Sequence, residues 1–340
     1  MDFGLALGGL IVGLVVGLTG MGGGALMTPI LVLVFGIQPL AAVSSDLVAS
    51  FFMKPVGALV HIRRGTVNWQ LARWLAIGSV PCAFAGVFVL RALGQQDLQG
   101  TVKVALGCAL LLAAAGLVVK TYLTLRERMT RRAAGLDEAT SPVPPVLRVR
   151  VLPTILIGAV GGLVVGMTSV GSGSLIIIAL LLLYPVLKAN QLVGTDLVQA
   201  VPLVGAAALG HVLYGDFQLG ITASLLIGCI PGVYVGARFS AQAPGGVIRR
   251  ALTLVLIASG LKLVGVGTAQ LALILVIVVV GGSLAWMAVR RSYGLPALAR
   301  FESRRKKARA VEKDRAVEKA RAVEKDSTAG AAAASDSATA

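Results

Sequence analysis

Long apolar runs, separated by short polar connections, make up most of the chain. Residues 151–183 and 251–289 each contain at least 18 residues with almost no charge, which is the pattern of membrane-spanning helices. The pattern therefore predicts an all-α polytopic membrane protein. The predicted crossings are residues 39–62, 67–90, 102–123, 189–213, 217–239, 247–265 and 269–289.

The second half of the apolar region repeats the first. GLTGMGGGAL (17–26) matches GMTSVGSGSL (166–175), and SSDLV (44–48) matches GTDLV (194–198). The two histidines of the chain, His61 and His211, also stand at equivalent positions. This similarity predicts an internal duplication, as in many transporters.

The distribution of charge between the copies predicts that they have opposite orientations in the membrane. Each connection that is basic in one half corresponds to one that is poor in basic residues in the other half. The connection after the second segment of the first half carries Arg63, Arg64 and Arg73, and its counterpart in the second half carries only Asp216. The next connection is nearly balanced in the first half, with Arg91, Asp97 and Lys103. Its counterpart in the second half carries Arg238, Arg249 and Arg250 and no acidic residue.

An inverted repeat needs an odd number of crossings in each half, and three are predicted. Segments 3–36 and 151–184 must then enter and leave the membrane on the same side. As one straight helix each would be about 50 Å long, against a hydrocarbon core of about 30 Å. Each half is therefore predicted to be a glycine-broken helical hairpin plus three membrane-spanning helices, followed by one extra C-terminal span. Two full crossings in each opening segment would also preserve the inversion, but the second arms are short for that.

The organisation along the chain follows from this count. The predicted parts are a first membrane repeat (1–125), a cytoplasmic linker (126–150), a second membrane repeat (151–267), an extra transmembrane helix (268–290) and a basic, low-complexity cytoplasmic tail (291–340).

The glycine breaks predict a binding site. Irregular backbone at membrane depth is tolerated only where it lines a cavity or is buried in protein. The first turn of the following helix carries free N–H groups and a partial positive charge, which suit a small anion. The predicted substrate-binding residues are Thr19, Gly22, Gly23, Gly24, Thr168, Gly171, Ser172, Gly173 and Lys54. The alternative for the glycines is close packing of helices.

Ionisable residues inside the predicted spans are the candidates for coupling or a pathway. Asp46 and Asp196 begin equivalent spans, where they either cap helix starts or line the pathway. Lys54 has no counterpart, because Val204 occupies the equivalent position, and it either contacts the substrate or balances charge. His61 and His211 either bond a loop at the membrane boundary or take part in proton coupling.

Composition narrows the classes of function. Only 14% of the residues are charged and 56% are hydrophobic, and the net charge of +16 lies mostly in short connections and in the tail, so it indicates membrane orientation rather than nucleic-acid binding. No cofactor or metal is predicted, and no hydrolase or metalloprotease motif is present. The lipid bilayer is a predicted partner, with anionic lipid at Arg304, Arg305, Lys306 and Lys307 of the tail.

The chain resembles the sulfite exporter TauE/SafE permease family, also called the 4-toluene sulfonate uptake family. The resemblance covers about residues 5–265 and rests on GLTGMGGGALMTPIL, AVSSDLVASFFMKPVGALVHIRRGTVNW, GSVPCAFAG, GMTSVGSGSL and VGTDLVQAVPLVGAAALGHVLYGDF. It implies transport of sulfur-containing or organic anions such as sulfite, sulfoacetate or sulfonates. The extra span and the tail are not part of the family pattern.

The functional hypothesis is a secondary transporter of the cell (plasma) membrane that binds its anion between the two breaks. A passive anion channel of the same fold and a non-transporting scaffold that acts through the basic tail are the alternatives.

Overall fold

A computed structural model describes residues 3–19, 24–94, 97–133, 149–185, 187, 189–239 and 245–292. These residues form eleven α-helices and no β-strand, which confirms the prediction of an all-α protein. The helices are α1 (Phe3–Thr19), α2 (Gly24–Leu33), α3 (Pro39–Arg63), α4 (Trp69–Leu93), α5 (Leu98–Ala133), α6 (Val151–Thr168), α7 (Leu175–Leu183), α8 (Ala189–Tyr214), α9 (Leu219–Phe239), α10 (Gly245–Leu263) and α11 (Thr268–Ser292).

The chain divides into two compact units, Met1–Leu275 and Val276–Ala340. Both repeats lie in the first unit. In the second, the structure describes the continuation of α11 to Ser292. The predicted lipid-binding residues of the tail lie outside the described residues.

Six of the described helices are long and apolar enough to cross a membrane. They are α3, α4, the Leu98–Leu123 part of α5, α6, the Gln191–Tyr214 part of α8 and the Leu219–Gly236 part of α9. The Thr268–Leu284 part of α11 is a shorter apolar helix, and α10 is not among the six. The chain is a multi-pass membrane protein, and the predicted number of seven crossings stays a prediction.

The opening segment of each half folds into a helical hairpin. In the first half, a Cβ on Gly8, near the start of α1, would lie 2.9 Å from the ring of Phe35, which follows α2. In the second half, the hydroxyl of Tyr184, which follows α7, accepts a hydrogen bond from the backbone N–H of Arg150 at 2.9 Å and lies 2.6 Å from the Thr154 hydroxyl at the start of α6. The two ends of each segment are therefore together, as the length argument predicts.

Helix α5 is longer than the predicted span, because it continues to Ala133 and so includes the first part of the predicted linker 126–150. Its 36 residues correspond to about 54 Å, which exceeds a hydrocarbon core of about 30 Å. The continuation has the sequence LRERMTRRA, which has no proline or glycine to end a helix. The polar end of α5 therefore extends beyond the apolar part.

Equivalent helices of the two halves make equivalent contacts. The most extensive packing is between α1 and α9 and between α4 and α6, and α1 corresponds to α6 as α4 corresponds to α9. Glycines at four-residue spacing allow both contacts, because a Cβ on any of them would meet backbone of the partner helix. These glycines are Gly158, Gly162 and Gly166 on α6 and Gly228, Gly232 and Gly236 on α9.

The corresponding helices α3 and α8 run antiparallel to each other. Ser44, near the start of α3, contacts His211, near the end of α8. At the opposite ends, a Cβ on Gly194 near the start of α8 would lie 3.0 Å from His61 Nδ1. The start of each helix therefore lies against the end of the other.

Replacing Gly228 with leucine is expected to destabilise the first unit by about 1–3 kcal/mol, because the side chain would meet the backbone carbonyl of Ala6 and separate α9 from α1. The measurement is thermal unfolding of the purified protein in detergent. Gly220→Leu on the same helix is the matched control, because a Cβ at Gly220 would have no atom of the described residues within 4 Å. Equal unfolding temperatures for the two variants would contradict the close-packing role.

Candidate functional site

The break in the second hairpin is a short irregular segment from Ser169 to Ser174. Three of its residues have positive φ angles: Ser169 at 61°, Gly171 at 130° and Gly173 at 90°. Positive φ favours glycine and is uncommon for serine. The sequence VGSG thus ends α6 and allows α7 to begin at Leu175, as the glycine pattern predicts.

The first-turn amides of α7 share one internal acceptor. The N–H groups of Ser174, Leu175 and Ile176 all point to the carbonyl oxygen of Gly171, at 3.3, 3.0 and 3.4 Å. The Leu175 bond has an ordinary length, whereas the Ser174 and Ile176 bonds are long, and one carbonyl oxygen with two lone pairs cannot satisfy all three donors fully. An oxyanion that binds these amides therefore competes with a single acceptor, the carbonyl oxygen of Gly171, which all three share.

The start of α2 in the first half lies against the break of the second half. A Cβ on Gly24 would meet the carbonyl oxygen of Ser169, and would lie 2.8 Å from the Ser169 hydroxyl. Gly22, Gly23 and the side chain of Thr19 are outside the described residues. The two hairpins thus approach each other at their breaks, through Gly24 and Ser169.

The other predicted residues of the second break have different surroundings. The hydroxyl of Thr168 is buried against the backbone: it lies 2.6 Å from the carbonyl of Val164 and 3.2 Å from the amide nitrogen and carbonyl oxygen of Val170. Thr168 therefore fixes the end of α6. Ser172 and Gly173 are partly exposed.

Lys54 joins the two halves at this place. Its ammonium group is buried, with the residue 6% exposed, and donates a hydrogen bond to the hydroxyl of Ser172 in the break of the other half. Both Asp46 and Asp196 interact with it electrostatically. Among the described residues, its hydrogen-bond partner is thus the serine of the break rather than an aspartate.

Asp46 is fully buried and both of its carboxylate oxygens accept hydrogen bonds. The Thr28 hydroxyl of α2 donates to Oδ2 at 2.6 Å, and the Ser50 hydroxyl of α3 donates to Oδ1 at 3.2 Å. Ser50 follows Asp46 by one helical turn, which the sequence alone reveals. Thr28 is distant in sequence, and no local signal identifies it as a partner.

Asp196 occupies the equivalent position of the second half but has a different environment. Its Oδ1 accepts a hydrogen bond at 3.2 Å from the amide of Gln199, whose own oxygen accepts from the Ser79 hydroxyl at 3.0 Å. The backbone N–H of Gly173 also faces this carboxylate. Its Oδ2 is buried and has no hydrogen-bond partner within the described part of the chain.

The two histidines occupy equivalent places but differ in burial. His211 is fully buried, with Nε2 2.7 Å from the carbonyl oxygen of Gly166 and Nδ1 2.9 Å from the Ser44 hydroxyl. Because a carbonyl only accepts, Nε2 carries a proton. His61 is half-buried, and its Nδ1 lies 2.9 Å from the hydroxyl of Thr66 in its own loop. Neither histidine contacts the two aspartates through a hydrogen bond within the described part of the chain.

Replacing His211 with alanine is expected to lower stability by about 1–3 kcal/mol, because the buried carbonyl of Gly166 loses its side-chain donor. The equivalent change, His61→Ala, is the control and should cost less, since that side chain bonds a partly exposed loop. Thermal unfolding in detergent measures both. A larger loss of stability for the His61 variant would contradict the role of His211 in linking Gly166 of α6 to Ser44 of α3.

The profile of the sulfite exporter TauE/SafE family matches residues 5–263. The chain belongs to this family. The match includes α1 to α10 and ends before α11, so the extra C-terminal helix and the tail lie outside it.

Relatives agree with this membership. The chain is 39% identical over 266 residues to "Probable membrane transporter protein YjnA" of Bacillus subtilis (strain 168), an alignment that covers 78% of this chain and 100% of the relative. It is 25% identical over 257 residues to "Probable membrane transporter protein YdhB" of the same organism, covering 74% and 96% of the two chains. No solved structure matches the chain. The TauE/SafE chain described here is therefore a membrane transporter.

Proposed function

We propose that this TauE/SafE protein is a secondary transporter of small sulfur-containing or organic anions, which it binds where the two hairpin breaks meet. The observation that carries the proposal is the buried ammonium group of Lys54, which reaches from the first half to Ser172 in the break of the second. A cation is expensive to bury in a membrane protein and commonly marks a substrate or ion pathway.

The surroundings of Lys54 suit an oxyanion. Helix α7 begins beside Ser172, so the positive end of its dipole points toward this place. The amides of its first turn share one carbonyl, and an incoming oxyanion is a stronger acceptor for them. Ser172 and Gly173 are partly exposed, which gives a ligand access. Gly22, Gly23 and Thr19 are proposed to complete the site from the first break.

An inverted repeat is the proposed framework for alternating access. The antiparallel arrangement of α3 and α8, which occupy equivalent places in the two halves, supports opposite orientations of the copies. Binding between two such copies lets each half in turn open the site to one side of the membrane. The basic residues of the linker and the tail favour a cytoplasmic position for both, and the plasma membrane is the proposed location of the protein.

Sulfite, sulfoacetate and sulfonates are the proposed substrates. The description of the family names a sulfite exporter, and the Bacillus subtilis relatives are described as probable membrane transporters without a substrate. A thermal-shift screen of the purified protein with sulfite, thiosulfate, sulfoacetate, alkyl sulfonates and lactate selects among them. A bound substrate stabilises the folded state by mass action.

Flux measurements in proteoliposomes test the proposal. A transporter shows saturable uptake of labelled anion, and anion trapped inside accelerates uptake from outside by counterflow. A passive channel shows neither saturation nor counterflow. Deleting residues 300–340 should leave uptake intact, whereas a scaffold that acts through the tail would lose its function. Failure of every anion in the screen to be transported would contradict the proposal.

A further inference from the structure

We propose that anion binding is coupled to uptake of one proton, and that Asp196 rather than Asp46 receives it, at the carboxylate oxygen Oδ2. This inference rests on the proposed function, because it takes Lys54 as the group that contacts the anion. The two aspartates occupy equivalent positions of the sequence repeat, whereas their hydrogen-bond partners in the structure are different.

The charges at the breaks create a need for a proton. Among the described residues, Lys54 is the cation that acts on both aspartates, whereas Lys120 acts on Asp196 alone and more weakly, so the two carboxylates leave an excess of negative charge around the Lys54 ammonium. An anion beside Lys54 adds a further negative charge in a buried place where like charges repel strongly. Adding a proton to one carboxylate removes this excess and lets Lys54 pair with the anion.

Hydrogen bonding decides which aspartate takes the proton. Each oxygen of Asp46 already accepts a bond from a hydroxyl, Oδ1 from Ser50 and Oδ2 from Thr28. Protonation of Asp46 would weaken both bonds, because a neutral carboxyl group is a poorer acceptor than a carboxylate. On Asp196, Oδ1 accepts from Gln199 and the backbone N–H of Gly173 faces the carboxylate, but Oδ2 is buried without a hydrogen-bond donor among the described residues. Protonation at Oδ2 therefore displaces no hydrogen-bond donor, and it removes the buried charge from an oxygen that no hydrogen bond stabilises.

A proton fits this place better than a metal ion. Alkali and alkaline-earth ions need several oxygen ligands, whereas Asp196 offers one unoccupied oxygen. The ammonium of Lys54 would also repel a bound cation. Within the described residues there is no cluster of three or more histidine, cysteine or acidic side chains that could hold a metal.

Two charged groups of the described residues act on Asp196, Lys54 on α3 and, more weakly, Lys120 on α5. Helices α4, α6 and α7, which also pack near α8, contribute no charged group to it within the part of the chain that the structure describes. When the anion pairs with Lys54, the ionised carboxylate of Asp196 loses its strongest electrostatic attraction. A proton from the aqueous phase then binds Oδ2 and forms the neutral carboxylic acid. A monovalent anion thus moves together with one proton, and the step is electroneutral.

Titration calorimetry of the purified full chain measures the coupling directly. Sulfite, methanesulfonate and sulfoacetate are titrated in two buffers of different ionisation enthalpy, and the dependence of the binding heat on the buffer gives the protons bound per anion. Sulfite's own proton exchange is subtracted. We expect about one proton taken up by the wild type, and an affinity that falls about tenfold per pH unit on raising the pH.

The repeat provides the matched control. Asp196→Asn should bind the anion with no proton uptake and with a flat pH dependence, whereas Asp46→Asn should still take up about one proton per anion, whatever its affinity. Asp196→Glu, which keeps the carboxyl, should retain the uptake and shows that a folded variant at this position can be measured. In proteoliposomes, the wild type should acidify the lumen as it imports methanesulfonate, and Asp196→Asn should not.

The outcomes separate this inference from the proposed function. Anion binding by the wild type without proton uptake would overturn the coupling and leave anion transport standing. Proton uptake that persists in Asp196→Asn, or that disappears in Asp46→Asn, would overturn the assignment to Asp196. Absence of binding and of flux for every anion tested would overturn the proposed function and this inference together.

Discussion

Replacing Lys54 with methionine is expected to reduce the affinity for the transported anion by about 10–100-fold, because a hydrogen bond to a charged group contributes about 1.5–3 kcal/mol. Methionine keeps a long apolar side chain at a buried position, so the packing of α3 changes little. The variant also leaves Asp46 and Asp196 without their shared cation, which makes the place more repulsive to an anion. Concentration-dependent uptake of the labelled anion into proteoliposomes measures the loss.

Two further variants define what the loss means. Lys103→Met removes a lysine from an exposed position of α5 and should leave uptake unchanged. Lys54→Arg keeps the positive charge and should recover part of the uptake, since arginine also donates to oxyanions. If Lys54→Met transported the anion with wild-type affinity while eluting as a folded protein, Lys54 would not contact the substrate.

The broad architecture could be read from the sequence because its signals are local. Apolar length predicts the spans, and the length of segments 3–36 and 151–184 predicts a reversal at their glycines. The contacts of Gly8 with Phe35 and of Tyr184 with Thr154 agree with that reversal. The end of α5 at Ala133 was not predicted, since charge marks where a membrane span stops and does not stop a helix.

The organisation of the candidate site could be predicted only in part, because its decisive contacts join distant segments. The duplication identifies Asp46 and Asp196 as equivalent, but it cannot show that Thr28 bonds one of them while an oxygen of the other has no donor. Alignment of the two halves shows that Lys54 has no charged counterpart, because Val204 stands at the equivalent position. The contact of Lys54 with Ser172, however, depends on how the halves pack. Likewise, helix-start amides are expected to be free from sequence alone, and the local backbone gives them Gly171 as an acceptor.

Replacing Gly24 with alanine, the smallest possible change, is expected to reduce transport at least about tenfold and to destabilise the protein by about 1–3 kcal/mol. The new Cβ would meet the carbonyl oxygen of Ser169, which is backbone and cannot rotate away as a side chain can. Either α2 or the second break must then move, and both lie beside the proposed anion site. Uptake by proteoliposomes and thermal unfolding in detergent measure the two effects.

Gly57→Ala on α3 is the matched control for this change. A Cβ at Gly57 would lie 3.7 and 3.8 Å from the two methyl carbons of Leu197, which is ordinary van der Waals contact. Since alanine favours a helix over glycine by about 1 kcal/mol, this variant should be as stable as the wild type or more so, and should transport normally. Gly24 is the first residue of α2, where helix propensity counts less than in a helix interior, and alanine is not disfavoured there, so a loss in Gly24→Ala comes from the contact between the breaks. Transport by Gly24→Ala at the rate of Gly57→Ala would mean that the close approach of Gly24 to Ser169 is not needed for the transport cycle.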